Sequence, residues 1–283
     1  MSLDVQKMRI AFQGEPGAFS EAAAVQLLGE GITTVPRPTF DAVFRAIAES
    51  AADALLVPVE NSLAGSVVRV YDLLLESDLT ITAETILPIE MNLIAHPGAT
   101  LAEIRTVSSH PMALAQCERF FAAHPQFKRT PAEDTAGSVR EMMSGSDKSH
   151  AAIAGHRAAA HYRAEILAEH IQDNAENFTR FVLLRTQRDA ASAATPADAR
   201  KMSLALRLAH RPGALLAALE PFARNAVNLL KIESRPIHGS PWEYQFFLDV
   251  EAESAPRLDT ALAEVRESTS EVRSLGLYAA AKE

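Results

Sequence analysis

Five short runs carry the side chains able to do chemistry. Asn177-Phe178-Thr179-Arg180-Phe181 supplies a hydroxyl, a fixed cation and flanking aromatic rings within five residues. A guanidinium is always charged, and its forked donors suit a carboxylate. A threonine hydroxyl is too weak an acid to act alone but serves as a hydrogen-bond donor or relay. Pro58-Val59-Glu60-Asn61-Ser62 ends an apolar run and places three polar side chains beyond the carboxyl end of a strand. That is where open α/β sheets bind ligands. Gly14-Glu15-Pro16-Gly17-Ala18-Phe19-Ser20 reads as a tight turn opening a helix at Ser20, whose N–H groups make an anion site. Ser108-Ser109-His110-Pro111 and Asp134-Thr135-Ala136-Gly137-Ser138 each precede a helical pattern. Capping accounts for Ser109, Asp134 and Thr135, whereas His110 stands outside the helix, placed to line a pocket.

Positioning these runs takes alternating strands and helices. Residues 8–13, 54–59, 151–154 and 178–185 read as strands. Phe40, Val43, Phe44 and Ile47 fall on one helical stripe with Thr39 as its cap, and helices are expected over 68–75 and 111–123. Such alternation predicts α/β architecture with helices covering a sheet. Residues 188–200 are small, polar and Pro-containing, as a linker is. Beyond them the order is strand, helix, strand, strand, helix, strand, the ferredoxin-like βαββαβ arrangement. Residues 244–251 alternate apolar and polar as a half-wet strand does. Pro221 falls within the first of these helices and should kink it or end it early.

Composition narrows the partners. With 27 Lys and Arg against 36 Asp and Glu, a net charge of −9 argues against nucleic acid and anionic membrane. Cys117 is the single cysteine, so no internal disulfide forms and it is expected as a small buried side chain. The first twelve residues lack the apolar core of a signal peptide, and no run reaches the ~18–20 apolar residues that span a bilayer. A cytoplasmic protein is expected. The glycine fingerprints of nucleotide sites, the nucleophile elbow and the zinc motifs are all missing, so neither a cofactor nor a metal is expected.

The runs NFTRF, VPVENSLAGSV, GEPGAFS and DTAGS, together with the SHP…QC segment at 109–117, resemble prephenate dehydratase. GALL at 213–216 and ESRP at 233–236 resemble the regulatory ACT domain attached to it. The resemblance runs from about Arg9 to Tyr278 in the family's order, and Met112 departs from it where Gln is usual. It implies a two-lobed catalytic region resembling type II periplasmic binding proteins over 7–187, a linker at 188–200 and an ACT domain at 201–283. Lobe 1 would hold about 7–84 and 177–187, and lobe 2 about 85–176. With no chorismate mutase segment before Arg9, the monofunctional bacterial form is expected.

That family removes water and carbon dioxide from prephenate, giving phenylpyruvate for phenylalanine synthesis. The resemblance makes Thr179 the donor to the ring hydroxyl, Arg180 the holder of the pyruvyl end and Phe181 an apolar wall. Glu60 is a second candidate proton source. Asn61, Ser62, Ser20, Ser109, His110 and Asn177 complete the substrate site. Closure of the lobes over substrate would exclude water. Phenylalanine is the expected effector, bound by Gly213, Ala214, Leu215, Leu216 and Asn228 with Glu233, Ser234, Arg235 and Pro236. Glu233 and Arg235 also suit a structural ion pair. Family precedent implies a dimer of dimers. Two alternatives share these features: an arogenate dehydratase, whose substrate has an amino group in place of the ketone, and a two-lobed binding protein without chemistry.

Overall fold

A computed structural model of the chain describes residues 7–192, 196–237 and 240–281. In chain order it begins β1 (Arg9–Gln13), α1 (Phe19–Leu28), β2 (Thr33–Arg37), α2 (Phe40–Ala48), β3 (Ala54–Asn61), β4 (Gly65–Ser66) and α3 (Val68–Glu76). β5 (Leu79–Pro88) leads to a second lobe of β6 (Asn92–Ala95), β7 (Thr106–Ser109), α4 (Pro111–Ala115), α5 (Glu118–Ala123) and β8 (Lys128–Pro131). It continues with α6 (Thr135–Ser144), β9 (His150–Ala154), α7 (His156–Tyr162) and β10 (Glu165–Ala168). β11 (Phe178–Thr186) returns to the first sheet, followed by α8 (Gln187–Ser192). The remainder is β12 (Lys201–Arg207), α9 (Ala214–Arg224), β13 (Asn228–Ile237), β14 (Ser240–Glu251), α10 (Ala255–Ser268) and β15 (Glu271–Tyr278). The fold is α/β in two lobes plus a βαββαβ unit, as expected.

The chain divides into two compact units, one holding residues up to Leu75 with Thr85–Val182, the other Glu76–Glu84 with the chain from Leu183 onward. One sheet runs β2-β1-β3-β11-β5 with β4 on β3, another β10-β6-β9-β7-β8. Insertion of the late strand β11 beside β3 brings residues near 179 against residues near 60, though 118 positions separate Asn61 from Thr179. Thr39 caps α2 through the Ala42 N–H, while Val43 and Ala46 are buried beneath it. The apolar stripe and its cap decide that helix.

The expected single helix over 111–123 is two helices. α4 ends at Ala115, and Asp173 accepts from Glu118 N at 2.8 Å and Arg119 N at 2.9 Å, capping α5. That carboxylate satisfies the open N–H groups a new helix start presents. Within 188–200, part is the end of α8, Ala199 is buried, and residues 193–195 lie outside the described set.

The two lobes share a core. Phe12 and Ala18 of the first pack with Ile94, Ala136, Val139, Ala152 and Ala158 of the second. Gly17 has φ +88°, and a Cβ there would lie 2.6 Å from the Ala158 Cα. Only glycine permits that backbone approach. Ion pairs Arg140–Glu15 (2.5 Å) and Arg157–Glu21 (3.3 Å) flank the joint.

In the second unit the sheet order is β13-β14-β12-β15, and β12 pairs antiparallel with both its neighbours. Helices α9 and α10 cover one face over Leu204, Leu206, Leu248, Phe222, Leu258 and Val265. Pro221 does not end α9, which runs on to Arg224; Asn225 closes it by donating its N–H to the Pro221 carbonyl at 3.1 Å. Pro221 is itself buried, so burial of its ring offsets the N–H it lacks. On the other face Gly276 (φ +153°) lies so near the Ile81 carbonyl that a Cβ would stand 2.2 Å from its oxygen.

Candidate functional site

A cleft of about 380 Å³ opens between the lobes of the first unit. Lobe 1 contributes Gln13, Phe19, Ser20, Pro58, Asn61, Thr179 and Phe181. Lobe 2 contributes His110, Met112, Gln116, Glu133, Asp134 and Thr135, and Ile89 and Met91 line the connection.

Asn61 organises the lobe 1 wall. Its Oδ1 accepts from Leu63 N (3.0 Å) and Ala64 N (2.8 Å), which fixes the amide orientation. Its Nδ2 therefore donates, to Thr179 Oγ1 at 2.9 Å and to Asn177 Oδ1 at 2.8 Å. With its lone pair engaged, Thr179 keeps its own proton free to donate. Asn177 is buried and passes the network to lobe 2 through Gln116 Oε1 at 3.1 Å. Thr179 is 8% exposed, and Phe181 is buried on the same face two residues on.

Arg180 and Glu60 do not line the cleft. Strand alternation turns Arg180 to the opposite face from Thr179 and Phe181, where its Nη1 lies 3.7 Å from the Glu60 carboxylate. Ser62 is structural: its Oγ donates to Glu176 O and accepts from Phe178 N, each at 2.9 Å, fastening the end of β3 to the start of β11. Ser109 is likewise neither cap nor pocket residue, being fully buried with its Oγ on the Ile153 carbonyl. His110 takes the cap of α4, its Nδ1 accepting from Met112 N at 3.2 Å, and lines the cleft. Ser20 lines it too, from the second position of α1, which starts at Phe19. The glycine turn before it is not an open anion site, because Glu21 occupies it with Oε2 on Gly17 N at 2.7 Å.

Gln13, Gln116, Glu133, Asp134 and Thr135 were not among the expected site residues. Gln116 sits seven residues beyond Ser109 within a motif already singled out, which was the available signal. Asp134 caps α6 through Gly137 N, as expected. Met112 is 49% exposed and places a thioether on the wall where the family usually has an amide. Cys117 is buried, and burial pushes its thiol up to about 12, too high for a nucleophile at neutral pH. Among the described residues no three His, Cys, Asp or Glu side chains form a metal cluster.

The second unit has a pocket of about 140 Å³ lined by Leu208, His210, Arg211, Ala214, Leu215, Tyr244 and Phe246. Among the described residues, its lining includes the expected effector residues Ala214 and Leu215. Gly213 precedes α9 as its N-cap and Leu216 points outward, 73% exposed. Asn228 borders a separate hollow beside Arg200 and Glu251. Glu233 and Arg235 form an ion pair at 2.7 Å, and alternation along β13 puts Ser234 and Pro236 on the other face. The single chain thus does not gather these nine residues into one site. No helix among the described residues is long and apolar enough to cross a membrane.

A family model for prephenate dehydratase matches residues 10–189, and one for the ACT domain matches 202–267. Arogenate dehydratase 3 of Arabidopsis thaliana is 40% identical over 96% of this chain and 67% of its own length. A prephenate dehydratase from Arthrobacter aurescens, solved in complex with L-Phe, has TM-score 0.85 at 33% identity, covering 96% of this chain and 90% of that one. A structure described as a novel type of quorum quenching acylase has TM-score 0.87 at 34% identity, covering 96% and 98%. Both domains, in this order and over nearly the whole chain, place it in one group: the chain belongs to the prephenate dehydratase family and carries a C-terminal ACT domain.

Proposed function

We propose that this chain converts prephenate to phenylpyruvate, with Thr179 donating to the departing ring hydroxyl. The carrying observation is the Asn61 amide on Thr179 Oγ1 at 2.9 Å inside the cleft, which leaves the hydroxyl proton directed elsewhere. In the reaction the bond from the ring to the departing carboxylate breaks, and its electron pair runs through the diene. The ring becomes aromatic, the opposite C–O bond breaks, and the oxygen leaves as water after taking a proton. Aromatisation drives the step, so the protein's task is orientation and assistance to the leaving group. Phe181 and Met91 give the ring an apolar bed. Gln13, Gln116 and His110 offer polar partners to the carboxylates. Arg180, on the back of β11 with Glu60, acts as a positioning residue that stiffens the strand under Thr179.

Phenylalanine is the effector in this reading, supported by the ACT match and by L-Phe in the Arthrobacter relative. The second unit pairs with that of another subunit, completing an effector site that one chain supplies only in part, and the assembly is a dimer of dimers in the cytoplasm. Light scattering is expected to give a tetramer, and phenylalanine is expected to shift its equilibrium or shape; a monomer indifferent to phenylalanine overturns this part. The activity is tested by incubating the protein with prephenate and reading phenylpyruvate absorbance in alkali. Product formation is expected. Tight binding without product favours the non-catalytic binder.

A further inference from the structure

The walls of the cleft are unequal in charge. Among the described residues that line it there are two carboxylates, Glu133 and Asp134, and no lysine or arginine. Asp134 is committed, its Oδ1 taking the Gly137 N–H at 2.5 Å at the start of α6. Glu133, one residue earlier, is exposed on the lobe 2 wall and has no hydrogen-bond or ion-pair partner among the described residues. The lobe 1 wall answers with the neutral hydroxyl and amide of Thr179 and Asn61. A free carboxylate beside a site for a dianion works against binding it, since like charges raise the cost of approach. The same carboxylate attracts a substrate bearing an ammonium where the other bears a ketone.

We propose that Glu133 is a specificity-determining residue that recognises an ammonium on the substrate's three-carbon side chain, so that the cleft takes the amino-acid form, arogenate, alongside the keto acid. This rests on the dehydration reading above and names the group that chooses between its two substrates. Discrimination by one rim charge is modest and weakens with salt.

Glu133→Gln tests it, with kcat/KM measured on both substrates at low and high ionic strength. In the variant, kcat/KM for arogenate is expected to fall about tenfold while that for prephenate rises about threefold. Glu133→Asp should recover part of the preference. An unchanged ratio of the two constants, or an equal change in both, overturns the assignment and leaves Glu133 a solvated rim residue. Wild-type protein that dehydrates prephenate but leaves arogenate untouched overturns it as well. Protein inert toward both substrates overturns the dehydration reading itself, a separate and recognisable failure.

Discussion

Thr179→Val is expected to lower kcat on prephenate by about 10²–10⁴-fold, the range over which a positioned proton donor contributes. Valine keeps the β-branched shape and the volume of a side chain that is 8% exposed within β11, so the strand and its packing survive. What goes is the one hydroxyl that the Asn61 amide leaves free to donate. Asn61 keeps other acceptors in Asn177 Oδ1 at 2.8 Å and the Phe178 carbonyl at 3.1 Å, so no amide is stranded. The cost in stability is about 1 kcal/mol, that of one net hydrogen bond. KM should change little, because the donor acts where charge develops on the departing oxygen rather than in the ground state. Thr179→Ser should restore much of the rate. A valine variant whose kcat stays within threefold of wild type would remove Thr179 from the chemistry.

The order of strands and helices was legible because each is decided within a few residues of itself. The stripe Phe40, Val43, Phe44 and Ile47 with its Thr39 cap needs nothing distant to become α2. Partners far along the chain were not legible. The break at Cys117 depends on Asp173, 55 residues from Glu118, and Ser109 looked like a cap until Ile153, 44 residues away, took its proton. Arg180 is a different case. Period-two alternation along β11 places it opposite Thr179 and Phe181, beside Glu60. In the second unit the GALL and ESRP motifs marked the right domain without a complete site, since most of their side chains point to different faces of one chain.

Removing one member of the Lys201–Glu84 pair is expected to be the most destabilising single change in the second unit. Lys201 Nζ lies 2.8 and 2.9 Å from the two Glu84 oxygens, and the side chains are only 9% and 1% exposed. Glu84 also accepts the Ala281 N–H at 2.9 Å. Lys201→Met removes an ammonium held at 2.8–2.9 Å from a buried carboxylate, and breaking such a pair costs about 3–5 kcal/mol. Unfolding followed in urea should show the transition of this unit moved to lower denaturant by a corresponding amount. The double variant Lys201→Met with Glu84→Leu removes both charges and their desolvation together. It should recover most of the loss, because an apolar pair of similar size is often as stable as a buried ion pair. A single variant that costs less than about 1 kcal/mol would mean that water reaches Glu84 readily. A double variant as unstable as the single would instead assign the loss to packing around the Lys201 stem, which runs along the start of β12, rather than to the broken ion pair.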